Sequence, residues 1–210
     1  MRVTKEYMEH YAKLSLISCY DARLTLLEKE EEPDWVSKEL NIGIEVTEAL
    51  DSQDGRKRSI VNRYFGKRLE GKFIKEQFAN KYPEYNPHLR VIGKTAVFSE
   101  CYDMKPKIDM VCSAIATKTQ KLNSHYTIFS HNWLYIFAPT LFCVHDVPEV
   151  IQSYQKVAVQ HPVAFDRIFL NAAESIFVLS PAGLMDTRHI SDDCLKQIKE
   201  EAQRLASKTK

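Results

Sequence analysis

The run from Asn132 to Ala138, NWLYIFA, limits the fold of this chain more than any other stretch. An apolar run of this length without polar alternation reads as a strand buried inside a sheet. It lies between two helical patterns. From Ile108 to Asn123, the residues Ile108, Val111, Ile115 and Leu122 recur along one helical face. From Val147 to Gln160, the inner face consists of Val150, Ile151, Tyr154, Val157 and Ala158. A buried strand set between amphipathic helices calls for a layered α/β arrangement.

The chain before this run begins with a helix from Thr4 to about Tyr20. Its apolar side is Tyr7, Tyr11, Leu14 and Ile17. Thr4 can cap it, Glu6 suits the positive end of the dipole, and Glu9 lies on the flank of the apolar face. Leu24 to Leu27 reads as a short strand, and EKEEE at Glu28–Glu32 as a solvated loop or strand end. Pro33 favours an extended neighbour, so Asp34, Trp35 and Val36 are expected to form a strand. The polar piece Ser37–Asn41 then makes a turn. Ile42 to Ala49 alternates, with Ile42, Ile44, Val46 and Glu48 on one face and Gly43, Glu45, Thr47 and Ala49 on the other.

After a loop at Asp51–Gly55, the basic residues Arg56, Lys57, Arg58, Arg63, Lys67, Arg68, Lys72 and Lys75 face only Glu70 in opposition. A helix is expected from about Arg56 to Gly66. This segment is either a phosphate-backbone contact surface or a solvated helix face. Tyr82–Leu89 is a loop, Arg90–Phe98 is β-rich, and residues 50–107 read as an insertion between core elements. Towards the C-terminus, Phe165–Leu170 and Ser175–Leu179 form a hairpin through Asn171–Glu174. Ser191 caps an amphipathic helix running to Ser207. The whole reads as a single α/β (α+β) domain, a central mixed sheet flanked by helices.

Composition narrows the function classes. The 210 residues carry a net charge of +1, so global charge names no partner. Five cysteines without a CxxC pair suggest neither a disulfide framework nor a zinc site, and fit reduced thiols in a cytoplasmic protein. No apolar run reaches the length of a membrane span, and the N-terminus lacks a signal-peptide core. The seven histidines form no HxH or HExxH pair. Neither GxGxxG nor GxxxxGK[ST] occurs, which leaves a nucleotide cradle without its signature. Cys143 lies close to His145 and Asp146, but neighbours in a strand or turn rarely aim at one another, so a thiol nucleophile is not expected and Cys143 reads as a buried thiol.

The acids Asp34 and Glu45 remain. Two strands joined by the Ser37–Asn41 turn would set their carboxylates side by side, as a site for a hard divalent cation requires. The alternative is that both are ordinary solvated surface residues. Lys118 falls in the helical progression 111, 115, 118, 122, at the edge of the apolar stripe. It either snorkels to water or reaches over the sheet towards the acids.

Pro33-Asp34, ten intervening residues and Glu45-Val46-Thr47, set within the order helix, three strands, helix, strand, resemble the PD-(D/E)XK nuclease superfamily and its restriction-endonuclease-like fold. The resemblance covers much of the first 140 residues, leaving 50–107 as an insertion. It implies that Asp34 and Glu45 bind Mg²⁺ or Mn²⁺, that Glu9 is an auxiliary acid, and that DNA or RNA is the partner. It also implies that Arg56, Lys57, Arg58, Arg63, Lys67 and Arg68 hold the backbone. The family's lysine falls at Thr47, which carries no charge. Lys118 is then the candidate replacement on the neighbouring helix. Three readings stay open: a metal-dependent nuclease, a binding or regulatory module that kept the fold and lost cleavage, and an unrelated cytosolic α/β protein.

Overall fold

The structure, a computed structural model, describes residues 4–49, 89–92, 95–98, 105–138, 142–172 and 174–208. The chain divides into two compact units. One joins Met1–Ala49 to Pro106–Lys210, and the other is Leu50–Lys105. The second occupies the stretch marked in the sequence as an insertion.

The larger unit begins with α1 (Lys5–Cys19), capped by the Thr4 hydroxyl, which accepts the Tyr7 amide at 3.2 Å. The run expected to form the first strand, Leu24–Leu27, lies instead in and just after a 3₁₀ turn, Ala22–Leu26. The Asp21 carboxylate accepts the Arg23 amide at 2.9 Å and starts that turn. Such local side-chain capping outcompetes a four-residue run with no strand partner. The first strand is β1, only Glu28–Lys29. It is followed by β2 (Trp35–Ser37) and β3 (Ile42–Glu48). The β2–β3 connection closes at Asn41 in the left-handed region, φ 51°, a conformation asparagine tolerates.

In the smaller unit, β4 (Leu89–Ile92) and β5 (Thr95–Phe98) pair antiparallel. The larger unit resumes with α2 (Lys105–Leu122), β6 (His131–Phe137), α3 (Val147–Gln160), β7 (Arg167–Ala172), β8 (Ser175–Ser180), β9 (Gly183–His189) and α4 (Asp192–Lys208). Its seven strands form one mixed sheet in the order β1-β2-β3-β6-β7-β8-β9. The β1–β3 meander is antiparallel, β3, β6 and β7 run parallel, and β7–β9 are antiparallel again.

Both parallel connections step in the same direction across the sheet. The shared handedness of such crossovers puts α2 and α3 on one face. The residues buried with them are Ala49, Leu134, Ile136, Ile168, Leu170, Phe177 and Leu179. The opposite face carries Trp35, Ile42, Ile44, Val46, Trp133, Tyr135, Phe169, Ile176 and Val178 under α1 and α4. Both faces of β3 and β6 are therefore covered, and β3 is not the half-exposed strand its alternation allowed. Among the described residues, no helix is long and apolar enough to cross a membrane.

Candidate active site

Trp35 pairs with Ile44 and Val36 with Gly43 across β2 and β3. One step further, the same register sets Asp34 opposite Glu45. Directly opposed residues on adjacent antiparallel strands share a face. Trp35 and Ile44 enter the core beneath α1, so Glu45 points to the α2 side, where Lys118 meets it, while Asp34, just before β2, is met by Lys5 of α1. Pro33 and Phe129 cover the strand beside them. A Cβ built on Gly43 would stand 2.6 Å from the Phe129 ring and 2.9 Å from Pro33 Cγ, so only glycine fits there.

These acids are not solvated surface residues. Asp34 is 2% exposed and Glu45 is 5% exposed. Asp34 Oδ2 accepts the Val46 amide at 2.8 Å, while Oδ1 lies 3.2 Å from the Lys5 ammonium. Glu45 Oε1 accepts from Lys118 Nζ at 2.5 Å and from the Tyr126 hydroxyl at 2.8 Å. The other oxygen, Glu45 Oε2, is buried without a hydrogen-bond partner among the described residues. Lys118 thus turns over the sheet towards the acids rather than away to water. Its place in the helical progression was the sequence signal for this.

Glu9 is drawn into the same neighbourhood from α1. It is 2% exposed, and the Trp35 indole ties its turn to β2 by donating to the Glu9 carbonyl at 3.0 Å. Its carboxylate faces Lys5 at 3.2 Å and Lys29 at 2.7 Å. Lys5 therefore bridges Glu9 and Asp34. Three carboxylates and three ammonium groups meet here, a balance that burial demands.

The charges shape the titration. Burial, then the nearby charges of Glu45 and Glu9, push Asp34 up to about 7, against the Val46 amide and Lys5. Burial acts to raise Glu9 too, but Lys29 and Lys5 hold it below its ordinary value. Burial acts to lower Lys5, and Asp34 and Glu9 outweigh it and raise it. Burial and the Glu45 carboxylate beside it raise Tyr126.

Among the described residues, no group of three or more His, Cys, Asp or Glu side chains could hold a metal ion. The donors in place are fewer. Asp34 and Glu45 lie together, one of their oxygens has no partner among the described residues, and burial together with the Glu45 charge raises Asp34. Mg²⁺ commonly takes one or two carboxylates and completes its shell with water and phosphate oxygens. This pair fits that donor set. Glu9 faces lysines on both oxygens and stands beside the pair as a neighbour.

Thr47 is half-buried and pairs with Ile136 across the parallel ladder. Arg56, Lys57, Arg58, Arg63, Lys67 and Arg68, and the helix expected around them, lie outside the described residues. Cys143, expected to be buried, is half-exposed and 3.9 Å from His145 Nδ1. Asp146 accepts the Cys143 amide at 2.8 Å, an N-terminal capping contact rather than one that orients the imidazole. Lys5, Lys29 and Tyr126 are the site residues that sequence reading missed. Only Lys5 left a trace, as a Lys–Glu pair four residues apart on a helix. No family model matches the chain, nor does any curated protein or solved structure.

Proposed function

We propose that this chain is a metal-dependent nuclease-like protein acting on nucleic-acid phosphodiesters, with a restriction-endonuclease-like core of the PD-(D/E)XK kind. One observation carries the reading. The buried Asp34–Glu45 pair faces itself across β2 and β3, with the Lys118 ammonium 2.5 Å from Glu45. The order α1, β1 to β3, α2 and β6 in the larger unit supports the reading, with the two-residue β1 standing where Leu24–Leu27 was expected.

In this reading Asp34 and Glu45 hold Mg²⁺ or Mn²⁺. The bound ion supplies polarisation of a phosphate and a lowered pKa for water. Tyr126 and Lys118 fix Glu45 through one oxygen, which leaves the other for coordination. Lys118 supplies the positive charge that Thr47 lacks, and it is held where charge develops on a phosphate beside the acids. Burial and the Glu45 charge raise Asp34, and a cation bound between the two carboxylates would offset that repulsion. The basic residues Arg56, Lys57, Arg58, Arg63, Lys67 and Arg68 supply backbone contacts, and neutralising the first three flattens the salt dependence of binding.

The test is cleavage of DNA and RNA in Mg²⁺ or Mn²⁺ by the wild-type chain, Asp34→Ala and Glu45→Ala. Metal-dependent cutting lost in both variants is the expected result. Cutting that survives both overturns the reading. Metal-dependent nucleic-acid binding without cutting selects the second reading, a binding module that kept the fold. Thr47 is the residue that favours that outcome.

A further inference from the structure

Two lysines touch the Asp34–Glu45 pair itself, and they are held very differently. Lys118 projects from within α2, is 18% exposed, and shares Glu45 Oε1 with Tyr126. Lys5 is the first residue of α1, and its side chain is 69% exposed. Its ammonium lies 3.2 Å from Glu9 Oε1 and 3.2 Å from Asp34 Oδ1. Asp34 commits Oδ2 to the Val46 amide. Oδ2 is thus tied to the backbone, whereas Oδ1 is engaged by a side chain that can move, so Oδ1 is the oxygen a cation gains by displacing Lys5. A Mg²⁺ ion on that oxygen would sit at roughly 2.0–2.1 Å. An ammonium held at the same atom would then face a divalent charge at close range, and the two would repel strongly at low effective dielectric. An exposed lysine at a helix start can swing its head group into water at small cost, whereas Lys118 is enclosed.

We propose that Lys5 is a displaceable internal counter-ion, which a divalent cation must expel from Asp34 before it can occupy the acid pair. This rests on Asp34 and Glu45 being the metal-holding residues. Lys5 then sets the metal concentration at which the site fills. Without metal it offsets the buried charge of Asp34 and Glu9, and with metal it is free to meet an anionic ligand. The unpartnered Glu45 Oε2 is the second donor the incoming cation finds.

The experiment is a Mn²⁺ titration of the full chain, followed by electron paramagnetic resonance of the free ion, with wild type, Lys5→Met, Lys5→Arg and Asp34→Asn. Lys5→Met is expected to bind Mn²⁺ about tenfold more tightly, the effect of removing the one cation that competes with the metal for Asp34. Lys5→Arg should bind as wild type does, and Asp34→Asn should lose binding. Equal affinity of Lys5→Met and wild type, with Asp34→Asn deficient, overturns the counter-ion role and leaves the metal site standing. Tightening in Lys5→Arg as large as in Lys5→Met also overturns it, because the charge would not be the cause. No Mn²⁺ binding by any variant, or full binding by Asp34→Asn, removes the metal site and the counter-ion role together.

Discussion

Tyr135 and Tyr126 both bury a phenol among polar neighbours, on opposite faces of one sheet. Around Tyr135 the partners are neutral. Its hydroxyl bonds Ser15 Oγ at 2.9 Å and accepts from Asn171 Nδ2 at 2.6 Å, and Ser15 also donates to the Ala12 carbonyl. No charge is buried, and the network serves to pin α1 to β6 and β7. Around Tyr126 the partner is a carboxylate, with a lysine on the same oxygen and an unpartnered oxygen beyond. A satisfied neutral network is what a core tolerates at no cost to function. A charged cluster with an unpaired oxygen is held against its own repulsion, and such places are candidates for chemistry.

Four substitutions would break or sharpen this contrast. The largest effect is expected from Lys118→Met, which leaves Glu45 buried without its cation. Urea denaturation at neutral pH should show a loss of about 3 kcal/mol, most of it regained when Glu45→Gln is added. If the double variant is no more stable than the single one, the pair is not coupled.

Next is Asp34→Asn, whose effect depends on pH. The fold raises Asp34 from its ordinary value to about 7. The stability it contributes is therefore present below about pH 4 and lost as pH rises through 7. Relative to wild type, Asp34→Asn should gain on the order of 2 kcal/mol between about pH 5 and pH 7, and no more above that. A difference constant across this range would contradict the burial of an ionising Asp34. Tyr135→Phe should cost about 1.5 kcal/mol at every pH and leave Mn²⁺ binding untouched, because it removes only the bonds to the neutral Ser15 and Asn171. Tyr126→Phe should cost about 1 kcal/mol or less in stability yet weaken Mn²⁺ binding, because Glu45 loses one of the two groups that fix it. Equal behaviour of the two tyrosine variants towards Mn²⁺ would erase the distinction between the faces.

The sequence carried much of this site because local periodicity reports direction. Strand alternation in Ile42–Ala49 put Glu45 away from Ile44 and Val46, and the Ser37–Asn41 turn brought Asp34 across from it. Helical phase carried Lys118 to the same place. The helices α1, α2, α3 and α4 were legible for the same reason, each through one buried face, and the strand β6 through an apolar run buried on both. Residues whose partners lie far along the chain left no such trace. Tyr126 meets Glu45 across 81 positions, and nothing around it marks the encounter. Lys29 sits in a charged run that reads as solvent-facing. Strand β9 was missed because its side chains are mostly exposed, Leu184 and Met185 included, so no alternation sets it apart. At Leu24–Leu27 the opposite failure occurred, where apolar content suggested a strand and the Asp21 cap made a turn.

The central claim is that Asp34 and Glu45 together hold a divalent cation. Crystals grown with Mn²⁺ and measured at its absorption edge test it most directly. The account predicts one anomalous peak within about 2.0–2.4 Å of an oxygen of Asp34 and an oxygen of Glu45, with the Lys5 ammonium withdrawn from Asp34. Ordered Asp34 and Glu45 side chains with no peak between them, and Lys5 still on Asp34 at saturating Mn²⁺, would contradict it.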